Sequence, residues 1–214
     1  MSDLILYGEK YWFSPFVFSA YVALVEKGLT FEERTFDLFT ARDHLDPAFQ
    51  RASITGTVPT LVHGGFWLGE SAAIVEYIDE SFPNGQRLLP AEPKERARVR
   101  QVMGFLRTRV EAIRDDRPTS TMFYARTTKP FSPPGRQAAE RLLRATEGFL
   151  EPGASTLAST WSIADAELAF MLHRLVANGD PVPPRIEAYA KAQWERPSVR
   201  RFVTHARPAE YTGS

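Results

Sequence analysis

The chain has 214 residues, enough for one large or two small domains, and 43% hydrophobic against 24% charged residues leaves material for a real core. Its 26 Lys+Arg offset 26 Asp+Glu, which removes any bulk electrostatic attraction to nucleic acid or to an anionic membrane. There is no cysteine, so disulfides, thiolate zinc sites, iron–sulfur clusters and a cysteine nucleophile are excluded, and any thiol used here must arrive with a ligand.

Leu4-Ile5-Leu6-Tyr7, ended by Gly8, reads as a buried strand. An aromatic loop, Tyr11-Trp12-Phe13, leads to Ser14-Pro15, a Ser N-cap with Pro at the first helical position, and a helix to about Lys27 that Gly28 stops. Residues 30–37 alternate as a second strand, and residues 44–51 read as a short helix. Residues 57–62 form a strand with Pro59 near its start, and His63-Gly64-Gly65-Phe66 is a hairpin turn into Phe66-Trp67-Leu68. Glu70-Ser71 opens a helix with apolar positions at Ala72, Ile74, Val75, Ile78 and Phe82. Residues 1–83 therefore read β-α-β-α-β-β-α, a thioredoxin-like α/β order, with the first two strands parallel and the last pair an antiparallel hairpin.

Gly85, Pro90 and Pro93 mark a linker, and from residue 93 to 214 the pattern is all-helical. The spacing predicts one long Arg-rich helix over 94–117, closed by Pro118, then a Pro-rich loop and a helix over 134–150. Ser162-Ile163-Ala164-Asp165 opens the next helix as a capping-box variant, whose loss at either end is expected to cost about 1 kcal/mol. A helix follows Pro183-Pro184, and residues 198–206 read as a terminal helical turn. His44, His63, His173 and His205 are scattered without ligand spacing, so no metal is expected. With neither a basic, apolar leader at Met1-Ser2-Asp3-Leu4 nor an apolar run of about 18–20 residues, a soluble, cytoplasmic protein is expected.

Ser14-Pro15-Phe16, Val58-Pro59, Glu70-Ser71 with Ala72-Ala73-Ile74, and Ser162-Ile163-Ala164-Asp165, in that order over the whole chain, resemble the cytosolic glutathione S-transferase superfamily. The Phe-Ser-Pro start and the later Asn178-Gly179-Asp180 resemble a bacterial YfcF-like group, serine-type and near the zeta class. The resemblance implies glutathione as co-substrate, conjugation to a small hydrophobic electrophile or reduction of a peroxide, and a homodimer without nucleic-acid or membrane partner. It implies a cis Val58-Pro59 bond that turns the Val58 backbone toward the cysteinyl unit of glutathione like an added strand; the plainer alternative is an ordinary trans Pro at a strand edge.

Glu70 would hold the γ-glutamyl ammonium and Ser71 its carboxylate at the helix N-terminus, though simple capping is the competing reading. Ser14 is the candidate catalytic residue, its hydroxyl donating to the glutathione sulfur and favouring thiolate; the competing readings are a bare N-cap for Ser14 and Tyr7 as the activator, itself otherwise a half-buried strand residue. Phe16 and Pro59 fall in the same binding motifs. Thr57 stands where the family often has Gln or Lys for the glycine carboxylate, and His44 is the compensating candidate, or else simply exposed. A second-substrate site between the domains would take Tyr11, Trp12 and Phe13 as floor, with Met103, Arg107 and Phe123; core packing is the alternative for Met103, and a solvated helix face for the arginines. The absence of cysteine argues against omega- and beta-like activities. A zeta-like isomerase and a non-catalytic interaction or regulatory protein on the same fold remain the rival functions.

Overall fold

Leu4 to Glu9 are buried except for the half-buried Ile5 in the computed structural model, which describes residues 3–212. They form β1 (Leu4–Glu9), at the centre of a four-stranded sheet ordered β2-β1-β3-β4, with β2 (Glu32–Phe36), β3 (Thr60–His63) and β4 (Phe66–Gly69). β2 runs parallel to β1, β3 antiparallel to β1, and β4 antiparallel to β3. The helices of this part are α1 (Pro15–Glu26), α2 (Pro47–Ala52) and α3 (Ser71–Ser81), giving the expected β-α-β-α-β-β-α order.

The two sheet faces are filled differently. Leu4, Leu6 and Gly8 share the face under α1, where a Cβ on Gly8 would come within 3.0 Å of Val17. The other face holds Tyr7, Val62 and Phe49 of α2, with Ile5, Phe36, Val58 and Trp67 around them. α1 and α3 are tied by a buried ion pair, Lys27 Nζ to Asp79 Oδ1 at 2.7 Å.

The chain divides into two units. One comprises residues 3–88 with 200–212, the other residues 89–199. The sequence pattern places everything from residue 93 onward with the helices, whereas the contacts return residues 200–212 to the first unit. His205 stacks on Trp12 with ring centroids 4.1 Å apart and meets Glu33 at 3.0 Å, and Arg207 Nη2 donates to the Trp12 carbonyl at 2.6 Å.

The second unit contains α4 (Pro93–Thr108), α5 (Ala112–Asp116), α6 (Ser120–Phe123), α7 (Pro133–Phe149), α8 (Ile163–Val176) and α9 (Pro184–Trp194); α10 (Pro197–Val203) carries the chain back. The single long helix expected over 94–117 is broken at Arg109. Carbonyls that a continuous helix would occupy are taken by side chains instead: Arg114 Nη2 donates to Leu106 O at 3.0 Å and Arg141 Nη1 to Arg109 O at 2.8 Å. The short helix expected over 44–51 is likewise two pieces, a 3-10 turn at Asp43–Leu45 and α2, because Asp46 caps a new start at Pro47.

α8 is buried on every side from Ile163 to Leu175, so its polar residues are all core residues. Asp165 accepts four bonds: from Ser162 N at 2.9 Å, Ser162 Oγ at 3.0 Å, Leu157 N at 2.8 Å and Tyr189 Oη at 2.9 Å. Glu167 receives Arg107 bidentately at 2.6 and 2.8 Å. Among the described residues no helix is long and apolar enough to cross a membrane.

Candidate functional site

The strand register assembles the candidate residues at one end of the sheet. β1 finishes at Glu9, where Gly8 and Glu9 pair with Thr35 and Phe36 of β2. β3 starts beside that end, with Thr60 opposite Tyr7, so Val58-Pro59 lies just past the last β1–β3 pair. β4 finishes with Gly69 opposite Thr60, which brings Glu70-Ser71 to the same end. The loop before Val58 reaches over: a Cβ on Gly69 would come within 2.3 Å of Thr55 Oγ1, so a larger residue here would displace the Thr55 side chain.

Ser14 occupies the N-cap of α1, half-buried, with Pro15 at the first helical position. Its Oγ accepts from Phe16 N and Val17 N, both at 3.3 Å. A serine hydroxyl carries two acceptor lone pairs and one O–H. Capping therefore uses only the acceptor side, and the O–H stays available as a donor at the positive end of α1. Capping and thiol activation are compatible at this residue. Phe16 contributes its backbone N–H to that cap and is itself half-buried.

The Val58–Pro59 peptide is cis. Thr60 Oγ1 donates to Thr57 O at 2.7 Å and meets Ser53 Oγ at 2.9 Å, while Thr57 Oγ1 meets Thr55 Oγ1 at 3.0 Å. The exposed Thr57 hydroxyl thus already has a neighbour. Gln50 Nε2 donates both to Gly56 O at 3.0 Å and to His44 O at 2.6 Å, which anchors His44 beside the same loop. The half-buried His44 ring has its Nδ1 buried with no hydrogen-bond partner among the described residues.

Glu70 is the N-cap of α3 with φ 65°, an uncommon backbone conformation for a non-glycine residue. Its exposed side chain makes no capping hydrogen bond. Ser71, at the first helical position, is buried.

Tyr7 is placed differently from Ser14. Its ring packs against Phe36, Phe49 and Trp67 at 5.3–5.5 Å between centroids, and its hydroxyl accepts from Arg34 Nη1 at 3.0 Å. Tyr11, Trp12 and Phe13, expected as the floor of a second-substrate site, are buried: Tyr11 Oη lies 2.6 Å from Thr212 Oγ1, and Tyr211 packs edge-on against Tyr11 and Phe13. In the second unit, Met103 is a core residue, Arg107 is engaged by Glu167, and Phe123 sits against Phe170.

Glu9 was not singled out by the sequence pattern. It is 2% exposed, and its carboxylate gathers the following loop: Oε2 accepts from Tyr11 N at 2.7 Å, and Oε1 from Phe13 N at 2.7 Å and Ser14 N at 2.9 Å. Burial pushes its carboxyl up from the ordinary value, against the opposing pull of these backbone donors. The available signal was a carboxylate closing an otherwise apolar strand. Among the described residues no group of three His, Cys, Asp or Glu side chains is arranged to hold a metal ion.

A thioredoxin-like unit with a cis-proline at the sheet end and an all-helical unit after it are the two parts of the glutathione S-transferase architecture. The chain belongs to the glutathione S-transferase family: its C-terminal domain description matches residues 92–207 and its N-terminal domain description residues 13–81. A solved glutathione transferase homolog from Burkholderia, with bound glutathione, is 38% identical, covers 94% of this chain and 96% of its own, and superposes with a TM-score of 0.75. Glutathione S-transferase 1 of Dianthus caryophyllus is 36% identical over 94 residues, 44% of this chain and 42% of that protein. A probable maleylacetoacetate isomerase of Vibrio cholerae is 37% identical over 101 residues, 47% of this chain and 46% of that protein. The chain spans less than half the length of the Dianthus and Vibrio relatives it matches.

Proposed function

We propose that the protein is a glutathione transferase that joins the glutathione sulfur to a small hydrophobic electrophile. The observation that carries this reading is the register that gathers Ser14, Val58-Pro59 and Glu70-Ser71 at one sheet end. On this reading the backbone of Val58 pairs with the cysteinyl unit, and the α3 N-terminus with Glu70 and Ser71 holds the charged γ-glutamyl end. His44, held beside the same loop, is the candidate for the glycine carboxylate, in place of the already engaged Thr57 hydroxyl. The Ser14 O–H donates to the sulfur, favouring thiolate over thiol near neutral pH, where a free thiol of pKa ~8.5 is mostly protonated. The thiolate lone pair then forms the new carbon–sulfur bond while the electrophile's leaving group, or its π-electron pair, carries the charge away. Holding both partners supplies the remaining acceleration. The bound glutathione of the Burkholderia homolog supports the same ligand here.

A zeta-like isomerase would use the same thiolate, adding and then eliminating it, and the likeness to the Vibrio isomerase favours this second reading. Peroxide reduction needs the same sulfur as reductant. The working form on this reading is a cytoplasmic homodimer.

Calorimetric titration with glutathione and steady-state turnover of a model electrophile test the proposal together. Wild-type protein binds glutathione, and Ser14→Ala lowers kcat by about 10- to 100-fold, in the range of a lost oxyanion-type donor, with near-wild-type glutathione affinity. Tyr7→Phe leaves kcat within about twofold, since its hydroxyl answers Arg34. No binding at millimolar glutathione would return the chain to the non-catalytic interaction reading.

A further inference from the structure

We propose that Glu9 is a positioning residue for Ser14, a buried anion around which the loop that presents the reactive hydroxyl is wound. The inference rests on the transferase reading above. Three features separate Glu9 from an ordinary core carboxylate. Among the described residues no Lys, Arg or His side chain pairs with it, so backbone N–H groups are its compensation. Those donors are residues 11, 13 and 14, and Trp12 N additionally donates to the Glu9 carbonyl at 3.1 Å, so the whole turn into α1 closes on one residue. The winding forces Trp12 to φ 48°, a conformation a large aromatic residue adopts only when its surroundings impose it.

The consequence falls on Ser14. Its N–H is turned inward onto Glu9 Oε1 at 2.9 Å while its Oγ is turned onto the first turn of α1. With backbone and side chain both fixed, the O–H has one arc left in which to donate. Glu9 also explains why the loop presents no orphaned N–H groups where the helix begins: the first turn is satisfied by Ser14, and the approach to it by Glu9. Only an acceptor with two oxygens serves all three donors. A glutamine at position 9 brings an amide N–H against one of them, and an aspartate has the right charge with a side chain one methylene shorter.

The test is a double-mutant cycle on the full chain with glutathione and a model electrophile, read as kcat and as the pKa of the bound thiol from its ultraviolet thiolate absorbance. Glu9→Gln is expected to lower kcat by ~10- to ~100-fold, as a misplacement of order 1 Å does, and to raise the bound thiol's pKa, while glutathione affinity stays within a few-fold. Glu9→Asp recovers part of kcat. In a Ser14→Ala background Glu9→Gln costs almost nothing further, because both changes act through one hydroxyl. Equal fold-losses with and without Ser14 would mean that Glu9 acts on general stability, and overturn the proposal; should Glu9→Gln not fold, the same cycle on Glu9→Asp decides by the same criterion. A wild-type protein silent toward glutathione removes the transferase reading itself, whereas an active wild type with undiminished Glu9→Gln turnover removes only the role of Glu9.

Discussion

Acid should act on this protein first through His173. The imidazole is buried on α8, stacked on Trp194 at 3.8 Å with an 11° angle between rings, and its Nδ1 donates to Ala169 O at 2.9 Å, which makes it the neutral Nδ1–H tautomer. Burial lowers its pKa from 6.5 to about 4; the bond to Ala169 opposes that shift and nearby Lys191 adds to it. In the unfolded chain the same residue takes its proton near 6.5. Below that value protons therefore bind the unfolded state preferentially, and stability is lost as pH falls from about 6.5 to about 4. The gap corresponds to about 3 kcal/mol at 1.36 kcal/mol per pH unit, most of it already lost by about pH 4.5. Glu9 and Asp165, whose carboxyls burial raises, push the other way in acid, so wild-type stability alone does not isolate the effect. His173→Phe keeps a ring against Trp194 and removes the titration. Denaturant midpoints for both proteins near pH 7.5 and about pH 4.5 should show the wild type losing about 2–3 kcal/mol more than the variant. Parallel pH dependence of the two would refute the assignment.

Ser71→Ala should weaken glutathione binding by about 10-fold, the worth of a hydrogen bond to a charged group, with little change in melting temperature; a fall in melting temperature with unaltered affinity would make Ser71 a packing residue only. Asp165→Asn should cost about 3 kcal/mol, since four donors meet one buried carboxylate. Thermal unfolding measures that loss, and kcat of the folded fraction should not move.

What was legible in the sequence is what neighbouring residues decide among themselves. Ser14-Pro15 caps α1, Gly64-Gly65 turns the hairpin with both residues at positive φ, and Ser71 begins α3, each within a few positions of its cause. Asp46-Pro47 carries the same cap signal as Ser14-Pro15 and starts α2, yet the weak periodicity over 44–51 masked it. The break at Arg109 was hidden because Val110 and Ile113, both fully buried, prolong the apolar stripe, while the donors that end α4 come from Arg114 and Arg141. Asp165 showed its capping role but not its bonds to Leu157 and Tyr189, which triple the expected cost of losing it. Glu9 carried no such signal: its partners are backbone N–H groups, which leave no trace in residue type.

The return of residues 200–212 to the first unit has a consequence for synthesis. When residue 88 leaves the ribosome, the partners of Trp12 at His205 and Arg207 have not yet been made. The helical unit must be translated before the turn that carries Ser14 acquires its last contacts. A nascent chain can thus complete its sheet early, but the clasp on the Trp12 turn arrives only with His205 and Arg207.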